Sequence, residues 1–302
     1  MNLYLGVQRS LTSSTMFETA FVGTRGVKFR LIRQANEVNR QTGIRPNPNM
    51  GSSRYFESIQ NTVYTSWQSS LRRRFSKNFM GSVHYTWGKA LGYTGGDAGA
   101  NFSGDTYFGI QDFFNWKNDR GPAAGDVTHN FAADFLYELP ALAGANAIAR
   151  GVAGSWQVAG IFTASTGQPL RITQSSSISG SRPDYVGGDP FTPDRGEDTL
   201  QYLNRNAFAR VPIVSASGAP IRPGNLGDGA IRLPGRWNLD FSLSKNLPIS
   251  ERWRLQIRGD MFNVLNHTDF NTVSTGITAS SFGQFTNKTS TRVIQLNARL
   301  SF

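Results

Sequence analysis

The chain has 302 residues, room for two ordinary domains or one β-rich domain, and at 38% hydrophobic with a mean hydropathy of −0.35 it holds no long apolar run. Membrane helices need about 20 consecutive apolar residues, so a helical bundle in a membrane is excluded, whereas a lipid-facing barrel needs only alternate residues of each strand to be apolar. The absence of cysteine excludes disulfides and thiolate metal sites, and the net charge of +11 is scattered along the chain rather than massed in one helix, which makes it a weak pointer to anionic partners.

Taken in chain order, two weaker strands are expected over 3–9 and 16–23, and Val63, Trp67 and Leu71 carry a third that runs into Arg72, Arg73 and Arg74. Period-two alternation is clearest over 79–87, where Phe79, Val83, Tyr85 and Trp87 oppose Ser82, His84 and Thr86. Phe131, Ala133, Phe135 and Tyr137 form the next apolar face, opposed by Asn130 and Asp134 but interrupted by Leu136. Trp156, Val158 and Phe162 alternate with Gln157, Thr163 and Ser165, and Trp237, Leu239, Phe241 and Leu243 alternate with Asn238, Asp240, Ser242 and Ser244. Trp253, Leu255, Ile257 and Met261 oppose Arg254, Gln256, Arg258 and Asp260. The last segment sets Ile294, Leu296, Ala298, Leu300 and Phe302 against Gln295, Asn297, Arg299 and Ser301.

Connection lengths alternate. Short ones fall at 10–14, 76–78, 140–154 and 248–251, and long ones at 24–57, 92–127, 168–236 and 267–290. Outer-membrane barrels have short periplasmic turns and long extracellular loops. If the last strand descends to the periplasm, all four long loops fall outside with no phase error. The fold class expected is therefore all-β: an antiparallel transmembrane β-barrel segment of about nine strands. Ile294, Leu296, Leu300 and Phe302 resemble the C-terminal signal by which such proteins are recognised for insertion. An odd strand count suggests an incomplete wall, so residues 1–302 are expected to be a partial barrel domain. Residues 1–6 lack the charged start and apolar core of a secretory signal, and such a signal is expected upstream.

The stretches SLRRRFSKNFMGSVHYTWGKAL, SWQVAGIFTASTGQPL, RWNLDFSLSKNLPISERWRLQIRGDMFNVLNHTDF and FGQFTNKTSTRVIQLNARLSF resemble the C-terminal barrel of TonB-dependent receptors. More narrowly they are similar to the Oar-like branch, whose members often carry a carboxypeptidase-regulatory-like domain. The resemblance covers about residues 3–302 and implies a barrel of roughly 22 strands around a plug, taking up substrate with energy passed through TonB. Plug, TonB box and earlier strands are absent from this sequence, so TonB and a plug are partners expected only of a full-length protein. Expected partners of the chain itself are outer-membrane lipid and lipopolysaccharide, the barrel-assembly machinery and a small ligand of unknown identity, without nucleic acid.

Arg254, Arg258, Asp260 and Arg299 are candidate lumen-facing residues, lining a substrate path or simply keeping a wet interior solvated. Tyr107, Phe113 and Trp116 are candidate ligand residues in a long loop that also holds Phe108 and Phe114, and the alternative is that these rings pack the loop onto the rim. Asp97, Asp105, Asp112, Asp119 and Asp126 in that loop are too widely spaced for an EF-hand. His84, His129 and His267 are far apart, no H-E-x-x-H or G-x-S-x-G motif occurs, and the Gly-rich 92–104 lacks the Lys-Ser/Thr ending of a phosphate loop. No catalytic residue, cofactor or metal is therefore expected. The function expected is substrate binding and uptake across the outer membrane. The alternatives are a non-transporting surface or adhesion barrel and, further off, a soluble carbohydrate-binding β-sandwich.

Overall fold

The computed structural model describes residues 1–302 except 52, 94–109, 113–114, 141–143, 145, 147–153, 179, 194, 196–198, 251 and 290, and except the side chains at 30–34, 54 and 56. Its frame is one sheet in which nine long strands lie side by side in chain order. These are β1 (Asn2–Ser10), β2 (Thr15–Ala35), β3 (Ser53–Ser76), β4 (Phe79–Gly92) and β5 (His129–Glu138). They continue with β6 (Trp156–Ser165), β7 (Arg236–Pro248), β8 (Arg254–Phe262) and β9 (Val293–Ser301). Each pairs antiparallel with the next, and Gly121–Pro122 adds a two-residue bridge on β4. The sheet is open, with β1 at one edge and β9 at the other.

Local chemistry explains the tight end of this meander. Lys77 and Asn78 both take positive φ, 50° and 63°, which is the backbone of a two-residue type I′ hairpin matched to strand twist. At the opposite end the reading of 24–57 as a loop is corrected. β2 and β3 stay paired from Arg25↔Val63 out to Ala35↔Ser53, and only 36–52 turn back. The alternation fails there because a strand needs an apolar face only where it meets lipid, and about 9–11 residues suffice for the crossing. The pairing tolerates an irregularity between Gly26 and Phe29, where a Cβ on Gly26 would lie 2.0 Å from the Phe29 ring. Trp253 also differs from expectation: it sits in the turn before β8 rather than on the strand.

Register places the two faces of the wall. One runs through Phe79, Tyr137, Val158, Leu243, Gly259 and Leu296 in successive strands, and through Gly81, Phe135, Gly160, Phe241, Met261 and Ile294 beside it. The other face carries Glu138, Gln157, Ser244, Arg258 and Asn297 in one row. Leu136, which interrupted the polar side in the sequence, lies between Met80 and Ala159 and forms a small apolar patch on that face. The apolar face is uncovered: Leu296 is 82% exposed. Among the described residues no second sheet packs on it, so the sandwich alternative fails.

The core sits elsewhere. Ile172, Leu203, Phe208, Leu226, Phe282 and Phe285, from the two long connections after β6 and β8, are buried together. Tyr93, Ile110, Ile178 and Ala219 make a second cluster joining the β4–β5 connection to the β6–β7 one, with Val38 and Trp116 against it. Short pairs such as Pro169–Leu170 with Ile231–Arg232, and Asp269–Val273 with Phe285–Thr289, stiffen these connections. The long loops are thus a folded cap on one end of the wall.

Candidate functional site

Arg254, Arg258, Asp260 and Arg299 come to one face because β8 presents every second residue to it and β9 matches it in register, Gln256 opposite Arg299 and Asp260 opposite Gln295. The Arg258 Nε donates to both carboxylate oxygens of Asp260 at 2.8 and 2.9 Å. Arg254 and Arg299 are exposed on the same face. Ser242, Ser244 and Asn246 of β7 extend it laterally, opposite Asp260, Arg258 and Gln256. Further along the face, Ser82 donates to Asp134, and His84 Nε2 lies 3.0 Å from the same hydroxyl. The result is a polar, mixed-charge surface that can exchange hydrogen bonds with a polar solute or a packed polar domain.

At the capped end, arginines hold the loops together. Arg182 and Asp119, both fully buried, meet at 2.7 Å, and the Arg182 Nε also donates to the Leu226 carbonyl at 2.8 Å. Arg171 faces Asp228 at 3.3 Å, and Arg232 holds Asp126 and donates to the Gly167 carbonyl. Arg222 grips Asp184 with two bonds of 2.8 and 2.7 Å, and that bidentate grip holds the Asp184 carboxyl below the usual carboxylate range. Burial pushes the Tyr202 phenol up to about 12, and its hydroxyl donates to the Arg232 carbonyl. The sequence reading weighed Asp119 and Asp126 only as loop acids. It missed their partners, which lie 63 and 106 residues away, and no spacing signal marks pairs so distant.

Between the β2–β3 loop and the cap opens a cleft of about 720 Å³, lined by Glu37, Arg40, Arg45, Asp112, Ile178 and Pro223 among others. Arg40 bridges its base, donating to the carbonyls of Pro220 and Gln111, and burial lowers its pKa. Volume and mixed lining suit a small polar ligand. The cleft was not legible in the sequence, because its residues come from three separate connections. Of the ligand-contacting rings expected in the 92–127 loop, Tyr107 and Phe113, with Phe108 and Phe114, lie outside the described residues. Trp116 opens a short 3-10 turn and tilts onto Tyr93 at a centroid distance of 4.9 Å, which spends one ring face on packing.

Ile294, Leu296 and Leu300 share the apolar face of β9, and Phe302 reaches past the strand end to the Trp253 ring at 5.1 Å. Asp97 and Asp105 lie outside the described residues, while Asp119 and Asp126 are turned to arginines.

Comparison with known proteins places this geometry. The model of the outer membrane beta barrel domain family matches residues 1–295. No curated protein matches the chain. Among solved structures, the outer membrane transporter YddB from Escherichia coli aligns with 99% of this chain and 32% of its own, with a TM-score of 0.51 and 10% identity. The ferric-catecholate import receptor Fiu from K12 E. coli aligns with 99% of this chain and 27% of its own, at a TM-score of 0.47 and 11% identity. The chain therefore spans about a third of YddB, and at that identity the likeness shows the fold alone. With an uncovered apolar face, a polar opposite face and a family match over nearly its whole length, the chain belongs to the outer membrane β-barrel domain family.

Proposed function

We propose that the chain forms part of the wall and external cap of a TonB-dependent receptor of the Oar-like branch, contributing to substrate binding and uptake across the outer membrane, without a catalytic step. The observation that carries this reading is the polar face of β7–β9. Arg254, Arg258, Asp260 and Arg299 are gathered there on the side that a barrel turns inward, while the opposite face is left to lipid. On this reading the four side chains line the interior and meet a plug or a passing solute. The cleft beside Arg40 and Arg45 is the outer entry point for a small ligand. Trp116 takes part only through whatever ring face its packing leaves free. The apolar face meets lipid, and Ile294, Leu296, Leu300 and Phe302 are the segment read by the barrel-assembly machinery.

The test is crosslinking in intact cells that make the complete protein carrying this chain. A receptor gives an adduct with TonB, and accumulation of its ligand stops when the proton gradient is collapsed. A surface protein that labels from outside but gives neither result is an adhesion barrel. That second reading draws on the cap, whose buried clusters give it a folded outer surface independent of any transport path.

A further inference from the structure

The cleft between 36–52 and the cap is shaped by the chain's own contacts. Asn39 sets the turn, its Oδ1 accepting from the backbone N–H groups of Gln41 and Thr42 at 2.9 and 3.0 Å. Gly43 takes a φ of 72° and lies so close to the 166–235 connection that a Cβ there would fall 2.6 Å from the Ala216 carbonyl oxygen. Ser217 donates to the Arg40 carbonyl at 3.1 Å, and the Arg40 side chain returns bonds to the carbonyls of Pro220 and Gln111. Val38 packs against the buried cluster of Tyr93, Ile110, Ile178 and Ala219. An occupant therefore does not have to order the backbone around it.

Charge and volume select the occupant. Among the described lining residues, the charges of Glu37, Arg40, Arg45 and Asp112 sum to zero with both signs present. Burial lowers the Arg40 pKa and the charges of Asp112 and Glu37 oppose that lowering, so acids and guanidinium share one neighbourhood. Arg45 donates from Nη1 to the Asn36 carbonyl at 2.6 Å, within its own loop. A wholly anionic occupant would be set against Glu37 and Asp112, and a wholly cationic one against Arg40 and Arg45. A neutral one would take water from all four and return no ion. A ligand with an ammonium at one end and a carboxylate at the other answers both signs. Ile178 and Pro223 add apolar lining for its side chains. The volume of about 720 Å³ is more than a single amino acid fills, and it lies within the range of about 300–1,000 Å³ typical of small-molecule sites. We infer that the cleft binds a short peptide with free ends, its carboxylate on Arg45 and its ammonium on the carboxylates of Glu37 and Asp112. The inference deepens the uptake reading and rests on the cleft being a ligand's point of entry.

The experiment is isothermal titration of the complete protein carrying this chain, in detergent micelles, with the tripeptide Ala-Leu-Ala, its N-acetylated and C-amidated forms, and triglycine. The expected result is saturable binding of the free-ended Ala-Leu-Ala, weakened at least tenfold by blocking either end and several-fold in triglycine. Arg45→Gln is expected to bind the acid and the amide alike, and Glu37→Gln to narrow the gap between the free amine and the acetylated form. The blocked peptides leave the protein untouched, so they decide if either variant fails to fold. Absence of binding by Ala-Leu-Ala at millimolar concentration overturns the inference, as does equal affinity for free and blocked peptides. Leucine alone binding as tightly, or maltotriose or citrate binding in place of the peptide, overturns it as well. Peptide binding without a TonB adduct contradicts uptake and leaves this inference standing, and a TonB adduct without peptide binding does the reverse.

Discussion

Arg182 and Asp119 illustrate what single residues contribute to the cap. Both are taken out of water, and their mutual bond is supplemented by the Leu226 carbonyl on one side and the Gln111 amide on the other. Removing one partner of such a pair leaves a buried charge and costs about 3–5 kcal/mol. Asp119→Ala is therefore expected to loosen the cap while the strands stay intact, seen as rapid proteolysis within 166–235 at unchanged heat-modifiable mobility. Tyr202 gives a pH test. Its folded pKa, about 12, lies above that of an unfolded tyrosine, so its contribution is complete below about 10 and is lost as pH rises toward 12. A difference titration against Tyr202→Phe should remove the latest-ionising phenol, and the variant's cap should lose less stability across that window. Gly160 serves the wall: a Cβ would lie 2.6 Å from the Phe135 ring that covers it. Gly160→Val is expected to cost about 1–3 kcal/mol, measured by urea unfolding in micelles. None of these roles was visible in the sequence, since each depends on a neighbour brought in from another strand or loop.

At the scale of elements, alternation reports what faces lipid and little else. β4–β9 were legible because Val83, Phe135, Phe162, Phe241, Ile257 and Leu296 must be apolar at a fixed side of the pleat. The distal halves of β2 and β3 were not, because beyond the membrane their pairing rests on backbone hydrogen bonds that any side chain permits. The same logic yields a paired prediction on β5. Ala133 faces Val83 and Phe162 on the apolar side, whereas its neighbour Ala132 faces His84 and Thr163. Arginine at a lipid-facing position near the middle of the membrane costs about 2–4 kcal/mol. Ala133→Arg should lower unfolding stability in lipid by that amount, and Ala132→Arg by much less. Equal losses at both positions would undo the assignment of faces.

For the whole molecule, the long connections divide the work with the strands. The wall buries little within itself and exposes its apolar rows, while the buried clusters and the arginine–aspartate pairs of the loops are gathered at one end. The strand count was readable, since the pleat is local, but the loop alternation was readable only in part, since pairing extends β2 and β3 until the 36–52 connection is no longer than 139–155. The cap's core and its cleft were not, since they assemble from 36–52, 93–128, 166–235 and 263–292. The chain resides in the outer membrane, and the central claim is that its long connections face outward while its short turns face the periplasm. It contains no cysteine, so one introduced thiol is a clean reporter. The most direct measurement labels intact cells with a membrane-impermeant maleimide, comparing Ala216→Cys in the cap connection with Asn78→Cys in the tight turn. Labelling of A216C in intact cells, and of N78C only after the outer membrane is permeabilised, is predicted. The reverse pattern, or labelling of both in intact cells, would contradict it.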